Sequence, residues 1–171
     1  MSVFGKPTPR ERLAYRVRDQ IRRLAVDGFG ARETTAPIGD SGFLRPVLDD
    51  PMAGLRAAVL TRNVATAAIH DGAVDARAAG RTWDEVADAI GIEDDDRFAP
   101  RGECAFEEIV GRPDLFAPAS LRWTCTACGR PVSDSGPYES HPDDNEHGHA
   151  ETCERRARAV AAWRIRTGEE S

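Results

Sequence analysis

Three of the four cysteines and three of the four histidines of this 171-residue chain fall in one stretch, Trp123 to Arg155. Cys125 and Cys128 form a Cys-x-x-Cys pair followed by Gly129, the tight turn that points two thiolates at one metal ion. His149 and Cys153 stand four residues apart, which places both side chains on one face of a helix expected to begin near Ala150. Three soft sulfurs and one imidazole complete the tetrahedron that structural zinc favours. His141 and His147 compete for the imidazole position. The helical spacing selects His149, with His147 as the alternative ligand. Four protein ligands leave the ion no open coordination position, so the expected role is structural and not hydrolytic.

The spacing also narrows the kind of module. Twenty residues separate Cys128 from His149, against the ~12 between the inner cysteine and histidine of a DNA-reading finger. A zinc knuckle on a β-hairpin fits better, with strands near Leu121 to Thr124 and Arg130 to Ser133 and a helix from Ala150 to about Arg166. That arrangement is treble-clef-like. About fifty residues are too few for a self-sufficient core, and structural zinc supplies on the order of 10 to 16 kcal/mol of folding free energy. Treble-clef scaffolds also carry His-Asn-His nucleases, and His141, Asn145 and His149 invite that comparison. Nuclease chemistry needs its metal-binding and water-activating histidines on separate elements, however, and His149 is already assigned to zinc. Asp143 and Asp144 read as loop-solubilising and turn-capping residues.

The elements that must position this stretch are mostly helical. Thr8, Pro9 and Glu11 make a capping box with a first-turn proline, and Leu13, Val17, Ile21 and Leu24 follow at helical spacing to a stop near Gly28. Its outer face carries six arginines, read as a solvated face. Residues 28–50 are broken by glycine and proline and read as a long connection with a short extended piece at Phe43 to Leu48. Within it, Gly39-Asp40-Ser41-Gly42 imitates the setting of the nucleophilic serine in chymotrypsin-like proteases. No histidine precedes Ser41, as that order of residues requires, so the motif reads as a turn. Asp50 and Pro51 open a second helix that runs to about Ala79 or bends near Gly72, carrying an isolated His70.

Gly80 then stops that helix, and Thr82 with Glu85 caps another, with Trp83, Val86, Ala89 and Ile90 expected on its apolar face. This reads as the first two helices of a helix-turn-helix. A recognition helix after Gly91 needs polar or basic residues for base edges and phosphates. The chain offers Glu93, Asp94, Asp95 and Asp96, and its next helical candidate, Glu103 to Val110, is acidic too, so groove reading is not expected. Cys104 reads as a buried small hydrophobe. The glycine- and proline-rich residues 111–120 suggest a boundary near Pro118, giving three expected parts: residues 1–50, 51–117 and 118–171.

Charge agrees with this picture. The net charge is -6, and the first 80 residues hold 12 basic against 9 acidic groups while the remainder holds 11 against 20. Such an acidic second half repels phosphates unless a local arginine cluster intervenes. Arg155, Arg156 and Arg158 on the last helix form the best such cluster. They would touch nucleic acid or pair with the chain's own carboxylates. No stretch approaches the ~20 apolar residues that span a bilayer, and cysteines clustered with histidines suit a reducing compartment. The expectation is a cytoplasmic protein with no membrane segment.

The combination Trp83-Asp-Glu-Val-Ala-Asp-Ala-Ile-Gly91, then Ala105-Phe-Glu-Glu-Ile-Val-Gly-Arg-Pro113, then the Cys/His stretch and an Arg-Ala helix resembles uncharacterised small proteins of high-GC Gram-positive bacteria. These join a helix-turn-helix-like segment to a C-terminal Cys/His zinc-binding module. The resemblance covers residues 50–166 and implies organisation and a metal but no activity. The sequence thus leads to a mainly α protein with a small treble-clef-like zinc module, non-enzymatic and acting on a protein partner as a regulatory or accessory factor. The open alternatives are a DNA-binding regulator using arginine faces and, third, a nuclease; homo-oligomerisation is left open.

Overall fold

The computed structural model describes residues 7–93, 99–112, 118–138 and 140–168. Among them are six helices and two small antiparallel sheets. The chain divides into two compact units, residues 1–65 and 66–171. That division falls inside a helix, whereas the sequence suggests breaks after residues 50 and 117.

The first unit begins with α1 (Pro9–Phe29). The Thr8 side chain accepts from the Glu11 N–H, and Glu11 accepts in return from the Thr8 N–H at 2.6 Å. The helix closes at Gly30, whose φ of 73° is the left-handed conformation glycine adopts without strain. A hairpin of β1 (Glu33–Pro37) and β2 (Leu44–Leu48) follows, with Glu33 opposite Leu48. Its turn is the Gly-Asp-Ser-Gly segment, in which the Ser41 hydroxyl donates to the Ile38 carbonyl at 2.6 Å. Only the second strand is expected from the sequence. The first, Glu-Thr-Thr-Ala-Pro, lacks apolar alternation and ends in proline, so it leaves no period-two signal.

The second long helix, α2 (Pro51–Ala78), runs unbroken through Gly72. Its start belongs to the first unit, whose core is Ala25, Ala31, Ala53 and Ala57, with Ile21, Leu24, Phe29 and Leu48 at the margin. Leu13 and Val17 continue the apolar row of α1 but stand 59% and 52% exposed. The row is continuous, yet nothing among the described residues of the unit covers its first half.

The second unit contains the end of α2, then α3 (Trp83–Ile90), α4 (Arg101–Ile109), β3 (Leu121–Thr124), β4 (Pro131–Asp134), α5 (Pro142–Asn145), β5 (Glu146–His147) and α6 (Glu154–Thr167). The Thr82–Glu85 capping box opens α3 as expected, and Gly91 closes it. The buried face is Trp83, Val86 and Ala87; Ala89 lies outside. Ile92 and Glu93 are not helical, Asp94 to Asp96 lie outside the described residues, and the next described helix is α4. There Ala105 and Phe106 take the core positions, while Cys104, expected to be buried, is only half-buried.

Phe106 sits at the centre. It meets Trp83 edge-on at 5.2 Å and Tyr138 at 5.9 Å between ring centroids. One continuous core runs from Ala73, Trp83 and Val86 through Phe106 to Leu121, Trp123, Val132, Cys125 and Cys153. Helices α3 and α4 and the Cys/His segment therefore share their interior. β5 adds a third strand, giving the order β3-β4-β5. No described helix is long and apolar enough to cross a membrane.

Two substitutions test this arrangement by chemical denaturation followed through tryptophan fluorescence. Phe106→Ala should cost about 3–5 kcal/mol, because it empties the middle of the core. Thr82→Ala should cost about 1 kcal/mol, the usual worth of an N-cap. Equal costs would contradict the assignment of Phe106 as the central residue.

Candidate metal centre

The hairpin of β3 and β4 carries Cys125 and Cys128 on its turn. The Gly129 N–H donates back to the Cys125 carbonyl at 2.7 Å and the Cys125 N–H to the Arg130 carbonyl at 2.9 Å, which folds the turn tightly. Gly129 has a φ of 71°, so the turn depends on a residue that tolerates the left-handed region. His149 and Cys153 come from the segment ahead of α6. That helix starts at Glu154, with Cys153 as its N-cap. The expected reason for pairing them, a shared helical face, is thus corrected: a turn closed by the Cys153 N–H on the Ala150 carbonyl at 3.0 Å brings them together.

Ligand atoms of Cys125, Cys128, His149 and Cys153 all lie within 4.8 Å of one another. The Cys125 and Cys153 sulfurs are 3.9 Å apart, and the His149 Nδ1 is 3.4 Å from Cys153 Sγ and 3.8 Å from Cys128 Sγ. Metal bonds of ~2.3 Å to sulfur and ~2.0 Å to nitrogen at tetrahedral angles would set sulfurs roughly 3.8 Å apart and sulfur to nitrogen roughly 3.5 Å. The donor set and its spacing fit a tetrahedral ion. They do not fit a disulfide, which needs sulfurs ~2.05 Å apart, and all four cysteines are free.

The thiols are unequal. Burial pushes the Cys125 thiol up. Cys128 is lowered to about 6, first by the Ala150 N–H, then by His149 and the Arg130 N–H. Backbone donors aimed at one sulfur favour the thiolate that a metal requires.

Beyond the four ligands lies a set of partners that the sequence does not disclose. The His149 side chain is 2% exposed, and its Nε2 lies 2.9 Å from the Glu146 carboxylate. A proton on Nε2, donated to Glu146, leaves Nδ1 as the lone pair facing the sulfurs, the carboxylate–histidine–metal arrangement of many zinc sites. Glu146 is itself held by Arg155 Nη2 at 3.1 Å and by Arg77. Burial raises its pKa, but Arg77, His149 and Arg155 together outweigh that and hold the carboxyl below its usual range. Arg77 is buried and also pairs through Nε with Asp134 at 2.8 Å. Asp134, 1% exposed, further accepts from the Trp83 indole at 3.1 Å and the Gly136 N–H at 3.0 Å.

The remaining residues singled out by sequence are distributed elsewhere. His147 lies on β5 opposite Ser133, exposed and outside the tetrad. His141 caps α5, accepting from the Asp143 N–H at 3.2 Å, and meets Trp163 edge-on at 4.8 Å. Asn145 donates to the Tyr138 carbonyl. Arg155 donates to the Arg77 carbonyl and lies 4.1 Å over the Trp123 ring. Arg156 forms a bidentate pair with Asp143, both contacts at 2.6 Å. Arg158 is exposed, its Nε on the Glu154 carbonyl at 3.4 Å. His70 is half-exposed beside Asp71. Glu146 carries no signal in the sequence beyond standing three residues before His149, since a single acidic residue in an acidic loop is indistinguishable from its neighbours.

No family model matches the chain, and comparison with curated proteins and with solved structures finds no match.

Elemental analysis of the purified chain should find one metal ion per chain, lost in Cys125→Ser and in His149→Ala and kept in His147→Ala. Undiminished metal in either of the first two would reject the ligand set. Glu146→Ala should lower metal affinity about 10- to 100-fold, read by competition with a chromophoric chelator. Glu146→Gln, whose amide oxygen still accepts from Nε2, should lose less.

Proposed function

We propose that this chain is a zinc-stabilised, non-enzymatic binding protein of the cytoplasm that acts through protein contacts as a regulatory or accessory factor. The zinc would sit on Cys125, Cys128, His149 and Cys153 in a treble-clef-like module, and its contribution would be folding free energy. The observation that carries the reading is the closed donor set: four protein ligands at tetrahedral spacing, with the outer face of the imidazole occupied by Glu146. A centre built for hydrolysis keeps one position for water or substrate.

The other chemistry-bearing groups support the same reading. Of the three residues that a His-Asn-His nuclease would use, His149 is in the tetrad, His141 caps a helix and Asn145 holds a loop. Of the three arginines that a DNA-binding face on α6 would use, Arg155 and Arg156 are engaged with Glu146 and Asp143, which leaves Arg158 exposed on its own. On α1, Arg22 and Arg23 pair with Asp19, and Arg22 also with Glu33 at 2.9 Å.

Two assays on the zinc-loaded full chain test the proposal. A mobility-shift titration at low salt should produce no retarded DNA, and supercoiled plasmid incubated with the protein should stay intact. A shift that weakens steeply with salt would replace this reading with a DNA-binding one. Nicked plasmid, abolished by Asn145→Ala, would replace it with a nuclease.

A further inference from the structure

The first unit of the chain has an unusual distribution of apolar residues. Its interior consists of four alanines, Ala25, Ala31, Ala53 and Ala57. Of the large apolar side chains that stand exposed among the described residues, all but Ile69 and Ile165 belong to this unit. Soluble domains ordinarily do the reverse, burying leucine and valine and leaving such residues singly on the surface.

The exposed residues are not scattered. On α1, Leu13, Val17, Ile21 and Leu24 follow one another at spacings of four, four and three, which is one helical stripe. Its second half reaches the alanine core; its first half, Leu13 and Val17, is 59% and 52% exposed. On α2, Ala53, Ala57, Leu60 and Val64 make a stripe at spacings of four, three and four. Here it is the first half that is buried, at 0% for both alanines, while Leu60 and Val64 are 43% and 61% exposed. Each helix thus begins a contact with the other near the hairpin and carries the same apolar row onward, exposed among the described residues.

The composition of α2 adds to this. From Pro51 to Ala65 its only charged residues are Arg56 and Arg62, and Met52, Leu55 and Val59 form a second exposed row, at 52%, 55% and 38%. A helix apolar on more than one side is one that becomes buried.

We infer that the first unit is a self-association surface, on which the α1 and α2 stripes of a second copy of this chain complete the core. The occupant is a second copy because the surface is self-complementary. Within one chain the two helices meet at one end, through Ala25, Ala53 and Ala57 with Ile21 and Leu24 half-buried at the margin. An isologous two-fold contact repeats that packing with the exposed halves, α1 of each copy on α2 of the other. Charge favours the crossed pairing. Setting α1 on α1 would bring two helices of six arginines each together, whereas residues 51–65 of α2 carry only two, Arg56 and Arg62. The scale is adequate: rows of large apolar side chains 38% to 61% exposed run along both helices, a patch on the order of the few hundred Å² above which exposed apolar surface marks an interaction site. The contact is independent of the metal centre, which lies in the other unit.

The experiment is light scattering and sedimentation equilibrium on the zinc-loaded full chain across a wide concentration range. The expected result is a mass of twice 18.6 kDa. Leu60→Arg with Val64→Arg on α2, and separately Leu13→Arg with Val17→Arg on α1, should each return it to a monomer. These side chains are exposed in the single chain, so helical circular dichroism and zinc content should be unchanged. Ile165→Arg, 72% exposed on α6, should leave the dimer intact. A wild type that stays monomeric at every concentration overturns the inference. So does a dimer that survives both pairs of substitutions, or a monomer whose exposed stripes are covered only by anionic vesicles or by a different protein.

Discussion

Arg77 enters the interior of the second unit as a full positive charge, and the surrounding fold is arranged to receive it. A buried guanidinium is tolerated only when its nitrogens find acceptors and its charge finds a counter-ion. Here Nε goes to Asp134, Nη2 to Glu146 and Nη1 to the carbonyl of Arg81. The two carboxylate partners stand 57 and 69 residues further along the chain. Trp83 and Trp123 wall the charge from two sides, their ring centroids 5.3 and 6.0 Å from the guanidinium carbon. Removing one partner from such a set costs about 3–5 kcal/mol, since it strands the remaining charge.

This network joins the metal centre to the helices. Glu146 takes Arg77 on one oxygen and the imidazole of His149 on the other. The orientation of His149, a candidate metal ligand, is therefore tied to a residue of α2. Asp134 in turn fixes the indole of Trp83, the first residue of α3. The Thr126 hydroxyl, on the knuckle itself, donates to the Ala78 carbonyl at the end of α2. An ion held by the tetrad would do more than staple a short hairpin: it would fix one corner of an interior whose other corners are Phe106, Trp83 and Arg77, a core that the described segments on either side of the glycine- and proline-rich stretch share.

What the sequence discloses follows from the range of each interaction. The Cys-x-x-Cys turn, the strand Leu121 to Thr124 and the capping boxes at Thr8 and Thr82 are set by contacts within a few residues, and each leaves a local pattern. The choice of His149 over His147 agrees with the geometry of the tetrad, although the helical face invoked for it does not exist; a turn ahead of Glu154 performs the same convergence. Arg77 and Asp134 are invisible in the sequence because they are remote from each other and remote pairs leave no periodicity, while Glu146, though three residues from His149, is one acidic residue among many in its loop. Residues 111–120 are a break in composition, yet the described residues on either side of them belong to one core. The stripe on α1 is legible as apolar, but periodicity names the face and not what lies on it.

Hydrogen exchange on the full chain, with zinc and after its removal by a chelator, tests the coupling of metal and fold most directly. If His149, Glu146 and Arg77 form one chain of support, chelation will release protection in residues 73–90 of α2 and α3 together with that of residues 121–153. Loss confined to residues 121–153, with residues 73–90 as protected as before, would contradict that coupling and return the metal to the role of a local clasp.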